Sequence, residues 1–291
     1  MAEQMKALAR ENARIEAPPH SLQWLADLIG MRYAHDFRSV SILIGYYVTL
    51  YFLWQWGSFL PWILWAPLWV FNIWLSFCCA TITHNTIHAA MFTRKFNFLN
   101  TVSYLLLTVS YGHPVSTFVP GHNESHHKYT QLRKDHMRTT KLRYKWNLLN
   151  FLLYQPTVTV SVTKSDIKYA LLQHALGKPF FAKMIREFSF LIACMIPLIY
   201  ISPAKWILYF QIPHMIAQWG IVSINHLQHD GCDVSLDSSQ YGNVARNFDG
   251  TWLNWWTCNN GYHGIHHIKP SLHWSKLPEA HQKIVEPTLH P

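Results

Sequence analysis

The sequence is short of charge, and acid is the scarcest. Only 13% of its 291 residues are charged, and Asp and Glu together number 15. From Phe37 to Asn123 there is no acidic residue at all. That argues against one or two ordinary soluble domains, which need charge along their surfaces. Cysteine is also sparse. Cys78, Cys79, Cys194, Cys232 and Cys258 show no metal-finger spacing and no cluster able to hold an iron–sulfur centre. They are too few for a disulfide scaffold, which fits a reduced, cytosolic setting for the polar part. No apolar leader with a small-residue cleavage site opens the chain; Met1 to Glu16 is charged and reads as helical. There is no His-Pro-Gly-Gly haem motif, no internal repeat and no low-complexity segment.

What is present is apolar. Half the residues are hydrophobic and 14 are Trp, the profile of a chain in lipid with aromatic residues at the interfaces. The formal net charge is +9. In this setting it reads as the positive cytosolic face of a membrane protein, with no call for nucleic acid. Residues 1–37 form an amphipathic N-terminal segment, in which Ser21 to Tyr33 predicts a helix lying on the membrane or on the protein's own polar part. Residues 38–291 form a membrane domain with spans at about 39–56, 61–83, 184–201 and 205–224. Asn97 to Tyr111 is apolar but shorter, and reads as a re-entrant or interfacial helix. Leu148 to Tyr154 predicts a surface helix ended near Pro156. The fold class is therefore all-α integral membrane: four transmembrane helices in two hairpins under a histidine-rich helical cap. Lys205 is the only basic residue near either loop on the far side, which makes the histidine side, with both termini, cytosolic.

Histidine carries the chemistry. Clusters occur at His84/His88, His122/His126/His127, His226/His229 and His263/His266/His267. Residues four apart share a helical face, so His84/His88, His122/His126 and His263/His267 can each present two imidazoles to one point. Nine or ten imidazoles are too many for one tetrahedral zinc and suit two metal ions; imidazole accepts iron, zinc or copper. The other ring nitrogen of each ligand needs an acceptor, and Glu124, Asp135, Asp230 and Asp249 are candidates. His20, His35, His174, His273, His281 and His290 read as surface or capping residues, as do His113 and His136 near the second cluster. His214, inside the fourth span, should face the protein interior. Trp65, Trp69, Trp74, Tyr209 and Trp219 read as packing or interface anchors before channel residues.

The order H-x3-H, H-x3-H-H, N-x2-Q-H, H-x2-H-H resembles the membrane fatty acid desaturase and hydroxylase superfamily from about His84 to Leu277. Gly261-Tyr262-His263-Gly264-Ile265-His266-His267 looks most like bacterial fatty acid desaturases, and His126-His127-Lys128-Tyr129-Thr130 also looks desaturase-like. The resemblance implies iron ligands at His84, His88, His122, His126, His127, His229, His263, His266 and His267. Asn225 would contact the metal directly or through water, and His226 is a possible further ligand. It implies two Fe ions, O2 as co-substrate, a fatty acyl substrate and electrons from a separate donor. The basic stretch 128–145 offers a docking surface for an acidic ferredoxin-like protein or for anionic lipid. Desaturation is the favoured reaction. The second box has three residues before its histidine pair where many desaturases have two, which keeps hydroxylation of an acyl chain, alkane or isoprenoid as the rival. A membrane zinc hydrolase and a metal transporter are more distant alternatives. A bacterial inner membrane is the expected location.

Overall fold

The computed structural model describes residues 15–234 and 243–289. Among these the chain is helical, and its one β contact is a bridge between Met31 and Phe92. Of the charged stretch Met1 to Glu16, all but the last two residues lies outside the described chain. The helix expected over Ser21 to Tyr33 is shorter: α1 runs Gln23–Leu28. It stops because Gly30 takes φ +70°, where a Cβ would lie 2.0 Å from the Phe96 ring. Trp24 and Leu28 remain exposed.

Two helical hairpins follow. α2 (Asp36–Trp56) and α3 (Trp62–His88) turn through Gly57–Phe59. After α4 (Asn97–Tyr111) and α5 (Asn147–Ala175) come α6 (Phe180–Ile201) and α7 (Pro203–His229), which turn at Ser202. The helices α2, α3, α6 and α7 are long and apolar enough to cross a membrane. The protein is an all-α integral membrane protein. α3 is central, packing on α7, α2 and α4. At 27 residues each, α3 and α7 reach about 40 Å, some 10 Å more than a hydrocarbon core. Their C-terminal turns carry His84, His88, His226 and His229, so both projections put histidine at the same end. At the opposite end the Lys205 ammonium donates to the Trp54 carbonyl at 2.6 Å, tying the hairpins together.

α4 has 15 residues and spans only about 22 Å, too little to cross. It runs down α3: the Tyr104 hydroxyl donates to Thr86 O, and further in the Ser76 hydroxyl donates to Ser110 O at 2.7 Å. Gly112 then turns the chain in the left-handed region, at φ +74°. A Cβ there would lie 2.4 Å from His214 Nδ1, so only glycine fits. His214 faces inward, as its position required, against the Tyr46 hydroxyl at 3.2 Å. The chain climbs back to His122, whose Nε2 lies 2.8 Å from His84 Nε2. This is a re-entrant path. It is pinned by Glu187, the one buried residue of α6, which accepts from the Ser116 amide at 2.8 Å.

α5 corrects an expectation. It does not end near Pro156 but runs through it, 29 residues in all. Proline removes the amide that would donate to Leu152 O. The Trp219 indole N–H of α7 donates to that carbonyl instead, at 3.2 Å, so the interruption is repaired from a neighbouring helix. Trp65 and Trp69 likewise pack, donating to the Tyr209 hydroxyl and to Leu208 O.

Replacing Trp219 by Phe should lower thermal stability by about 1 kcal/mol through the orphaned carbonyl. In a Pro156→Ala background, where residue 156 regains its N–H, the same change should cost much less. Equal losses in the two backgrounds, measured as a double-mutant cycle, would show that the indole does not perform this repair.

Candidate metal centre

The second histidine box is a π-helix, Val119–His127. Its wider turn brings residues five apart onto one face. His122 therefore pairs with His127, Nε2 to Nε2 at 3.0 Å, and not with His126 as α-helical spacing suggests. His126 turns to a different set. The nine predicted imidazoles divide into two groups. His84, His88, His122, His127 and His266 form one; His126, His229, His263 and His267 form the other. Within each group the ligand nitrogens lie within 4.8 Å of one another, and every imidazole is buried or half-buried. In α9 (His263–Ile268), preceded by α8 (Thr251–Trp256), His263 and His267 share a group while His266 joins the first.

The donor set can be tested for a cation. His126 Nδ1 donates to Asp135 Oδ2 at 2.9 Å, and His229 Nδ1 donates to Val244 O at 2.6 Å. With Nδ1 so engaged, the Nε2 atoms are the nitrogens left to bind a metal. They face each other at 3.1 Å. His229 Nε2 also lies 3.0 Å from His263 Nε2 and 3.1 Å from His267 Nε2. Hydrogen bonds cannot account for this convergence. A shared cation does: with metal–nitrogen bonds of about 2.1 Å, ligands at right angles sit about 3.0 Å apart. Burial, and after it the neighbouring imidazoles, holds His122, His127, His263, His266 and His267 well below the usual imidazole range. They are neutral near pH 7, as ligation requires.

A match to the fatty acid desaturase family extends over residues 61–291. The chain belongs to that family. No curated protein matches it. Membership makes this desaturase-family enzyme an oxidoreductase of lipid substrates, with a histidine-held metal centre in an integral membrane protein.

Of the four carboxylates proposed to orient ligands, Asp135 alone contacts one of the grouped imidazoles, His126. Burial pushes its carboxyl up, but the His126 ring and the amides of Gln131 and Met137 outweigh this and hold it at about 2. Glu124 and Asp249 are exposed, and Asp230 pairs with Arg143 at 2.7 Å. His226 is outside both groups, against the Tyr154 ring. Asn225 donates to the Tyr154 hydroxyl at 2.8 Å and to Met137 O. Residues that sequence reasoning missed hold the third box. Asn254 Oδ1 accepts from the Gly261 amide at 3.0 Å, and Asn247 Oδ1 from the Gly264 amide at 2.9 Å. His273 and His281 are not surface residues. His273 is buried against Asp36 at 3.1 Å, beside Trp274, whose indole donates to the same carboxylate. His281 packs on Tyr262, just after α10 (Leu277–Ala280). His290 lies outside the described residues.

A cavity of about 150 Å³ opens between α5 and α7. His84 and His122 line it from the first group and His263 from the second, so both groups face it. His113, expected at the surface, also lines it; the tryptophans and Tyr209 do not. Val158, Val162, Ile221 and Val222 supply apolar wall, and Asp166 lies among them. Burial alone pushes the Asp166 carboxyl up to about 7.

Asp135→Asn should reduce bound iron per protein, with affinity falling about 10–100-fold, because the amide no longer fixes the His126 tautomer. Iron analysis of the purified variant checks this; full iron occupancy would show that His126 is held by packing alone.

Proposed function

We propose that the protein desaturates a fatty acyl chain with dioxygen, using two irons. His84, His88, His122, His127 and His266 would hold one. His126, His229, His263 and His267 would hold the other, with Asn225, one turn before His229, completing the smaller group. The observation that carries this is the convergence of nine imidazoles into two groups, with the Nε2 atoms of His126 and His229 facing each other at 3.1 Å in the smaller one. Breaking an unactivated methylene C–H bond is beyond any side chain, and redox metals with dioxygen supply that reach. The chain's own residues do the rest. Asp135 and Val244 set the tautomers of two ligands. The valines and isoleucine along α5 and α7 exclude water and hold a methylene chain beside both groups. Small shifts in that placement separate loss of a second hydrogen from return of a hydroxyl. Hydroxylation is the second reading, supported by the three-residue spacing in the second box.

The histidine end and both termini are read as cytosolic, in a bacterial inner membrane. Electrons come from a separate, ferredoxin-like protein. Lys128, Arg133, Lys134 and Lys145 are exposed and available to dock it, whereas Arg143 is paired and the Lys141 ammonium donates to His136 O at 2.5 Å.

Mass spectrometry of lipids from aerobic cells tests the reaction. Cells with the wild type should gain an acyl species lacking two hydrogens, absent with His266→Ala. A species with one added oxygen would assign a hydroxylase. For docking, turnover of detergent-solubilised enzyme with a soluble donor should fall steeply with added salt; indifference to salt would remove the basic surface from that role.

A further inference from the structure

The cavity between α5 and α7 contains a charged side chain that the metal centre does not use. Val158, Val162 and Asp166 follow one another at four-residue spacing on α5, on one face, and all three line the cavity. Asp166 is 7% exposed, and its buried Oδ1 has no hydrogen-bond partner among the described residues. The carboxyl stands beside the second box: a Cβ on Gly121, which precedes His122, would lie 3.8 Å from Asp166 Oδ1. Among the described residues no Lys or Arg lines the cavity.

The space is small. At about 150 Å³ it matches a cavity that accepts benzene, so it takes roughly six carbon atoms. His84, His122, His263 and Asp166 line the same small space, so a chain segment beside those imidazoles also meets Asp166. A methyl terminus there would leave the carboxyl without a partner, which a buried polar group does not tolerate cheaply. A carboxylate or phosphate would meet an acid in an apolar cavity with no cation to offset it. A hydroxyl or an amide N–H serves the carboxyl in either protonation state. Gln155, Thr159 and Thr163 on α5 and Gln218 on α7 add uncharged polar groups to the same lining.

We propose that Asp166 is the polar anchor of the substrate, accepting a hydrogen bond from its hydroxyl or amide N–H. The substrate is then a lipid with an uncharged, hydrogen-bond-donating polar end, not a free carboxylate or a phosphate ester. This rests on the acyl-oxidising reading of the site, and it makes Asp166 a specificity-determining residue.

Binding tests it without turnover. The full-length protein in phosphatidylcholine nanodiscs is photolabelled with a diazirine-bearing long-chain alcohol, and labelling is competed with hexadecanol, hexadecanamide or hexadecanoate. For the wild type, the alcohol and the amide should compete at concentrations about tenfold lower than the carboxylate. Asp166→Asn keeps the size but adds an N–H donor, so it should erase or reverse that preference. Asp166→Leu should remove the advantage of the alcohol. Equal or better competition by hexadecanoate in the wild type, a preference that survives in both variants, or no specific labelling of the wild type would each overturn the proposal. Iron content is measured on the same samples. Normal iron with no discrimination removes the anchor alone, whereas a wild type that binds no iron removes the reading beneath it.

Discussion

A buried nitrogen lone pair with neither hydrogen nor water to face is costly, and this protein gathers such nitrogens at one end of its helices. His126 and His229 show the constraint most directly. Each has its Nδ1–H committed, one to Asp135 and one to Val244, so the two Nε2 atoms oppose each other with nothing to share. A bound cation would satisfy all of these nitrogens at once.

The remaining architecture delivers imidazoles to that point from four separate parts of the chain. α3 and α7 overshoot the hydrocarbon core and carry His84, His88 and His229 beyond it. α4 dips and returns, held by Gly112 and Glu187, so that the second box meets the first on one side. The third box sits on a six-residue helix, too short to be stable by itself. It is fixed by Asn247 and Asn254, and the segment beyond it is fastened to α2 by the buried Asp36–His273–Trp274 contacts. Hydrogen bonds to backbone amides are what turn short, irregular segments into rigid ones here.

Backbone geometry also decides which ligand belongs to which group. The wider π-turn swings the fifth residue round towards the first, so the fourth and fifth lie on either side of it. The three residues between His122 and His126 therefore send the adjacent pair His126 and His127 to different groups. Both groups then border one cavity between α5 and α7.

Much of this was legible in the sequence, because it depends on composition and local spacing. The acid-free stretch from Phe37 to Asn123 and the apolar runs showed a membrane protein of four long helices. The boxes pointed to the nine imidazoles and the family, and a shared metal site required the short apolar segment 97–111 not to cross. Contacts between distant residues were not legible. The division of the imidazoles into five and four depends on a π-turn that residue spacing alone does not reveal. The continuation of α5 through Pro156 depends on an indole from another helix. The burial of His273 depends on an aspartate 237 positions away. Asp166 looks like any solvated acid until Gly121 and Val162 are seen beside it. Hydrophobicity and ligand type are properties of single residues and survive in a linear string; partners, tautomers and cavity walls are properties of pairs, and only folding brings the pairs together.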